Sequence, residues 1–169
     1  MYNSVKYIVV TASDSGSKGQ REDISGQLIV DYFEKAGFIL VDKVILPDSK
    51  KDISSYLAEK CDRNEADIIV TTGGTGFTAR DITPEATLEI SERMVPGISE
   101  ALRAEGLKKT PHAMLSRGIS VIRKQTLIVN LPGGPKAVRE GIEVLSKILV
   151  HAVETLRSVH GVECGSLEA

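Results

Sequence analysis

Apolar residues gather in short, nearly continuous runs, and between these runs they recur at spacings of three and four. Four runs read as strands: Tyr7–Ala12, Ile39–Ile45, Asp67–Thr72 and Thr126–Leu131. They are rich in β-branched residues and scarcely alternate with polar ones, as expected of strands covered on both faces in a parallel sheet. Ile24, Leu28, Tyr32 and Ala36 recur every four residues with Ile29 and Phe33 beside them, and Gly37 marks the stop of that helix. Ile53, Leu57 and Cys61 mark a second helix. Thr83-Pro84-Glu85 predicts the start of a third, with Thr83 as N-cap, Pro84 at the first helical position and Glu85 in the first turn. Pro135 opens a long C-terminal helix whose face carries Val138, Ile142, Leu145, Leu149, Ala152 and Leu156. Between Met94 and Lys124 the pattern predicts helices over Ile98–Glu105 and Ala113–Gly118, then a short strand Ile119–Arg123.

Strands alternating with helices predict a three-layer αβα sandwich with a mostly parallel central sheet and right-handed crossovers. With 169 residues and no repeat or linker, residues 1–160 form one α/β domain and 161–169 read as a flexible tail. Hydrophobic residues make up 41% and charged residues 26%, the balance of a globular protein. A net charge of -2 supplies no field for nucleic acid or an anionic membrane, so a polyanionic ligand needs a local site. No apolar stretch approaches the ~18 residues of a membrane span, and MYNSVKYIVV lacks the pattern of a signal peptide. Cys61 continues an apolar stripe and Cys164 lies in the polar tail; neither belongs to a metal-binding spacing. Together these features predict a cytoplasmic protein in a reducing compartment.

The strongest local signal is Thr71-Thr72-Gly73-Gly74-Thr75-Gly76, at the C-terminal end of a predicted strand. Ligands of open α/β sheets bind at that edge, and glycines let backbone N–H groups approach an anion closely. A tight turn with no ligand is the plain alternative. Gly74–Ala79 also fits G-x-G-x-x-A, yet the dinucleotide fingerprint belongs after the first strand, and the Pro84 signal delays the helix. A nicotinamide-dependent oxidoreductase is therefore the weaker option.

Phe77–Ile82 becomes a loop carrying Arg80 and Asp81 towards the glycines, and Asp48 lies in the loop after another strand. Two converging carboxylates suit Mg²⁺, which shares oxygen ligands with substrate phosphates; solvated loop aspartates or a structural Arg80–Asp81 pair are the alternatives. Thr11-Ala12-Ser13-Asp14 ends the first strand, and Asp23 or Ser25 can cap the following helix. Leu115-Ser116-Arg117 and Asn130-Leu131-Pro132-Gly133-Gly134-Pro135 complete the set, with Arg117 able to offer a bidentate phosphate contact. The scattered histidines 112, 151 and 160 carry no assigned role.

Taken together, Ser13-Asp14, Asp23-x-Ser25-Gly26, Pro47-Asp48, TTGGTGFTARDITPEAT at 71–87, Pro96-Gly97, PHAMLSR at 111–117 and TLIVNLPG at 126–133 resemble the molybdopterin adenylyltransferases of molybdenum-cofactor biosynthesis. The resemblance covers nearly the whole chain up to the C-terminal helix. It implies a trimer or hexamer, ATP-dependent activation of molybdopterin with Mg²⁺, and a molybdenum-insertion protein downstream. Asp48 and Asp81 match critical carboxylates, which would also hold the metal. Gly73, Gly74, Thr75 and Gly76 match a phosphate-contacting loop. Ser13, Asp14, Ser116 and Arg117 align with substrate positions, and Arg80, Glu85, Pro132 and Gly133 complete the expected contacts. One departure is Gly134, where family members commonly carry Asn or Ser. A binding-only carrier of molybdopterin is the alternative to an enzyme, separated from it by pyrophosphate release.

Overall fold

A computed structural model describes residues 4–158. The tail from 161 to 169, with Cys164, and His160 lie outside the described residues. Six strands form one sheet in the order β2-β1-β3-β6-β5-β4. They are β1 (Lys6–Ala12), β2 (Ile39–Leu46), β3 (Ile68–Thr72), β4 (Arg93–Met94), β5 (Ser120–Arg123) and β6 (Thr126–Leu131). The four runs read as strands from the sequence are β1, β2, β3 and β6, and all pair in parallel. β5 and β4 add an antiparallel edge.

Successive side chains of a strand point to opposite faces, and both faces are apolar here. Tyr7, Val9, Ile68, Val70, Leu127 and Val129 pack on one side with α2 (Ile24–Lys35), α5 (Pro96–Leu107), α6 (Pro135–Ser146) and α7 (Leu149–Arg157). Ile8, Val10, Ile69 and Ile128 pack on the other with α3 (Lys50–Asp62) and α4 (Thr83–Glu89). The result is the expected three-layer sandwich. Burying a side chain such as Phe33 or Leu57 contributes ~1.5–3 kcal/mol; both are fully buried.

Several local expectations are corrected. Ile24 is 53% exposed, and α2 buries Ile29, Val30 and Phe33, so the core face is the stripe beside the four-residue repeat. Thr83 is the first helical residue of α4, not its N-cap; Ile82 holds that position and makes no side-chain cap. The long C-terminal helix is two helices, broken at Lys147 and Ile148, although Leu149 and Val153 stay in the core. Ala113–Gly118 is not an α-helix: a five-residue 3₁₀ turn, Pro111–Leu115, stands there, and its last residue precedes Ser116. The loop after β1 contains a short helix, α1 (Asp14–Ser17), and Asp23 caps α2 by accepting from the Gly26 N–H.

The strand order positions the site. β1 leads outward to β2, whereas β3 lies on its other side beside β6. The direction of winding therefore changes between β1 and β3, and at such a point the loops leave the strand ends in opposite directions and open a crevice.

Candidate active site

The crevice is built from the C-terminal tips of β1, β3 and β6. Gly73 and Gly74 both have positive φ, 91° and 64°, so the chain turns off β3 in a conformation that suits glycine. At Gly73 a β-carbon would lie 2.5 Å from the Ala12 carbonyl oxygen, and at Gly74 it would overlap the Thr83 hydroxyl. The turn therefore presses main chain against main chain. Gly133 completes it: a β-carbon there would lie 3.2 Å from Gly73 Cα. Two bonds fix this last loop, from Thr72 Oγ1 to the Pro132 carbonyl and from Ser25 Oγ to the Gly133 carbonyl, both 2.7 Å.

Two cavities open on either side of that contact. The larger, about 460 Å³, is lined by Gly74, Thr75, Gly76, Asp81, Ser116 and Pro132 and extends between α5 and α6. The smaller, about 350 Å³, is lined by Ser13, Asp23, Ser25, Thr72, Gly73 and Gly134. Gly133 lines both. The sequence brings these loops to one sheet edge; the structure divides them between two chambers that share Gly133.

The predicted residues divide accordingly. Ser13 belongs with Gly73 in the smaller chamber, and Ser116 with Gly74, Thr75, Gly76 and Asp81 in the larger. Asp14, Asp48, Arg80, Glu85 and Arg117 line neither chamber and instead brace the loops around them. Asp14 and Asp48 bind each other, each backbone N–H donating to the other's carboxylate at 3.0 Å. Arg80 Nε donates to Asp14 Oδ2 at 3.0 Å and its Nη2 makes an ion pair with the same oxygen. The partner of Arg80 is thus Asp14, not the neighbouring Asp81. Arg117, expected to present its fork to a phosphate, donates instead to the Gly76 and Asp81 carbonyls and pairs with Glu85.

Electrostatics separate the three aspartates. Burial, aided by the charges of Asp14 and Asp81, pushes the Asp48 carboxyl above its ordinary range. The Arg80 hydrogen bond holds Asp14 below it. Burial acts to raise Asp81, but hydrogen bonds from the Thr78 hydroxyl and from the Thr78 and Gly76 N–H groups outweigh it and hold the carboxyl low. Among the described residues no group of three or more His, Cys, Asp or Glu gathers as a metal centre. The charge of Asp81 reaches Asp48, and Mg²⁺ commonly takes only one or two carboxylates, filling its remaining positions with phosphate oxygens and water. Cys61 is buried in the core and its thiol is pushed up to about 11 by desolvation, as expected of a structural cysteine.

Residues of α5 and α6 were missed by sequence reasoning. Ser99, Leu102, Arg103, Glu140 and Gly141 wall the larger chamber, and His112, given no role, lies at its rim. A usable signal was present in Gly106 and Gly141, glycines inside helices. A β-carbon at Gly106 would lie 2.8 Å from Ala113 Cβ, and one at Gly141 would lie 2.9 Å from Leu131 Cδ2.

Known proteins share this fold. The family model described as "Probable molybdopterin binding domain" matches residues 8–152. Molybdopterin adenylyltransferase from Helicobacter pylori (strain J99) is 40% identical over 153 residues, covering 88% of this chain and 85% of the relative. The Escherichia coli (strain K12) molybdopterin adenylyltransferase is 37% identical over 158 residues, covering 89% and 80%. In three dimensions, the molybdopterin biosynthesis enzyme MoaB from Thermus thermophilus superposes with a TM-score of 0.85 at 41% identity, covering 90% of this chain and 96% of that one. The shared fold, the near-complete coverage and the glycine turn at the sheet edge lead to one conclusion: this chain belongs to the molybdopterin-binding domain family of molybdenum-cofactor biosynthesis.

Proposed function

We propose that the protein is a molybdopterin adenylyltransferase, moving AMP from ATP to the terminal phosphate of molybdopterin and releasing pyrophosphate. The observation that carries this reading is the meeting of two chambers at Gly133, packed against Gly73, with Asp81 lining the larger of them. A transferase for two large substrates needs two adjoining spaces whose contents can touch. In the reaction an oxygen of the molybdopterin phosphate attacks the α-phosphorus of ATP. The bond from that phosphorus to the bridging oxygen breaks, and pyrophosphate leaves with its electron pair. A phosphate monoester is anionic at neutral pH, so no residue has to remove a proton.

What remains is alignment and relief of crowded negative charge. Gly73, Gly74 and Gly133, without side chains, let main chain approach phosphate oxygens. Ser13 and Ser116, one in each chamber, offer hydroxyls to the two substrates. Asp48 and Asp81 would hold Mg²⁺, which when bound offsets charge on the phosphate oxygens. Asp48, raised by burial and neighbouring carboxylates, is the group a cation most relieves.

Incubation with ATP, Mg²⁺ and molybdopterin tests the reading: adenylyl-molybdopterin and pyrophosphate should form in equal amounts. Asp81→Asn should lower turnover by about 100-fold, the scale of removing one transition-state contact. Tight molybdopterin binding without pyrophosphate release would make the chain a carrier. As corollaries, the protein would work in the cytoplasm as a homotrimer or hexamer and hand its product to a molybdenum-insertion protein. Exposed Phe77, Met114 and Leu115 favour association, and sedimentation would measure it. Among the described residues no helix is long and apolar enough to cross a membrane.

A further inference from the structure

Arg117 turns its guanidinium onto the 76–81 loop and Glu85 and lines neither chamber. Nε donates to the Gly76 carbonyl at 2.7 Å and Nη2 to the Asp81 carbonyl at 2.6 Å. Glu85 pairs with the same guanidinium, Nη2 to Oε2 at 3.3 Å and Nη1 to Oε1. The backbone N–H of Arg117 adds a bond to the Thr75 carbonyl at 2.9 Å. One residue thus grips the loop from residue 76 to residue 81 at both ends.

The opposite side of that loop is held by Asp81. Its Oδ2 accepts from the Thr78 N–H at 2.8 Å and the Thr78 hydroxyl at 2.7 Å. A trans peptide points its C=O and N–H in opposite directions. The Thr75–Gly76 peptide has its oxygen on the main-chain N–H of Arg117, and the Asp81 carboxylate lies against Gly76, its Oδ2 3.0 Å from where a β-carbon would stand. By the same planarity, fixing the Gly76 and Asp81 carbonyls on Arg117 aims the N–H groups of Phe77 and Ile82 away from it. Glu85 offsets the guanidinium charge, so the grip does not depend on a substrate anion.

We propose that Arg117 is a positioning residue that acts through Asp81, fixing both ends of the 76–81 loop instead of contacting phosphate. The proposal rests on the adenylyl-transfer reading, with Asp81 in the reacting site. Lysine cannot replace it, because an ammonium is a point donor without the planar fork needed to span two carbonyls.

The test compares full-length wild type with Arg117→Lys and Arg117→Ala. In substrate-free protein, amide exchange at Thr78 should rise about tenfold or more, with the centre of β3 unchanged. In steady state kcat should fall by about 100-fold while KM for ATP stays within about threefold, and added guanidinium should restore part of the Arg117→Ala rate. A raised KM with kcat preserved, or unchanged exchange, would overturn the proposal. Should Arg117→Ala fail to fold, Glu85→Gln carries the same test in milder form: faster exchange at Thr78 supports the grip, and unchanged exchange refutes it. If wild type itself forms no adenylylated product, the transfer reading fails, while the exchange measurement still decides what Arg117 does to the loop.

Discussion

Asp14 and Asp48 hold one another through a reciprocal pair of hydrogen bonds, each backbone N–H donating to the other's carboxylate at 3.0 Å. The pair ties the tip of β1 to the tip of β2, and Arg80 reaches across from the loop after β3 to cap it. Three strand ends are thereby joined by one chain of hydrogen bonds, in which backbone N–H groups and a single guanidinium hold two carboxylates together.

Asp48 should respond in opposite directions to its two neighbours. Its carboxyl lies above the ordinary range because of burial and the nearby charges of Asp14 and Asp81, with Arg80 acting against them. Arg80→Gln should raise it further and Asp14→Asn should lower it, which carboxyl NMR titration would read. A raised carboxyl stabilises the fold fully below its unfolded pKa and loses that contribution as pH climbs through the folded value. For Asp14, held low by Arg80, the sign reverses: its contribution is present above the unfolded pKa and is lost as pH falls through the folded one.

Thr83→Val should leave stability unchanged or raise it by up to ~1 kcal/mol, measured by urea denaturation. The Thr83 hydroxyl is buried and has no hydrogen-bond partner among the described residues. Removing an unsatisfied buried polar group without changing shape is neutral or favourable. Were Thr83 the N-cap of α4, the same change would cost about 1 kcal/mol.

Gly134→Asn should raise the melting temperature slightly, by a cap gain of a few tenths of a kcal/mol. Gly134 is the N-cap of α6 with φ -76° and makes no side-chain cap, and a β-carbon there meets nothing within 4 Å. Because Gly134 also lines the smaller chamber, the new amide should lower KM for one substrate. Steady-state kinetics with each substrate varied would show which.

Gly73→Ala should destabilise by ~1–3 kcal/mol through its backbone alone, and by more through the added contact with the Ala12 carbonyl. Gly19, also at positive φ but with open space around it, should tolerate Ala at the lower end of that range. Chemical denaturation of the two variants side by side separates strain from collision.

Much of this architecture was legible because the physics is local. Ile68, Ile69 and Val70 announce a strand with two dry faces, and Ile53, Leu57 and Cys61 announce a helix with one. The break between Ser146 and Leu149 was not legible. Neither Pro nor Gly marks it, and Leu149 keeps the apolar phase across the gap. The glycines and aspartates of the site were visible as residue types at strand ends. The use made of Arg117 was hidden, since its acceptors are carbonyl oxygens, which every residue carries alike. The division into two chambers was hidden too, because it depends on Gly133 meeting Gly73 across 60 positions of sequence.

That meeting has a mechanical implication. At Gly133 the partition between the chambers is bare main chain, with no side chain to swing aside and none to replace. A single methyl group at that point would thicken the partition against Gly73. How closely the contents of the two chambers can approach each other is set by what this one position leaves out.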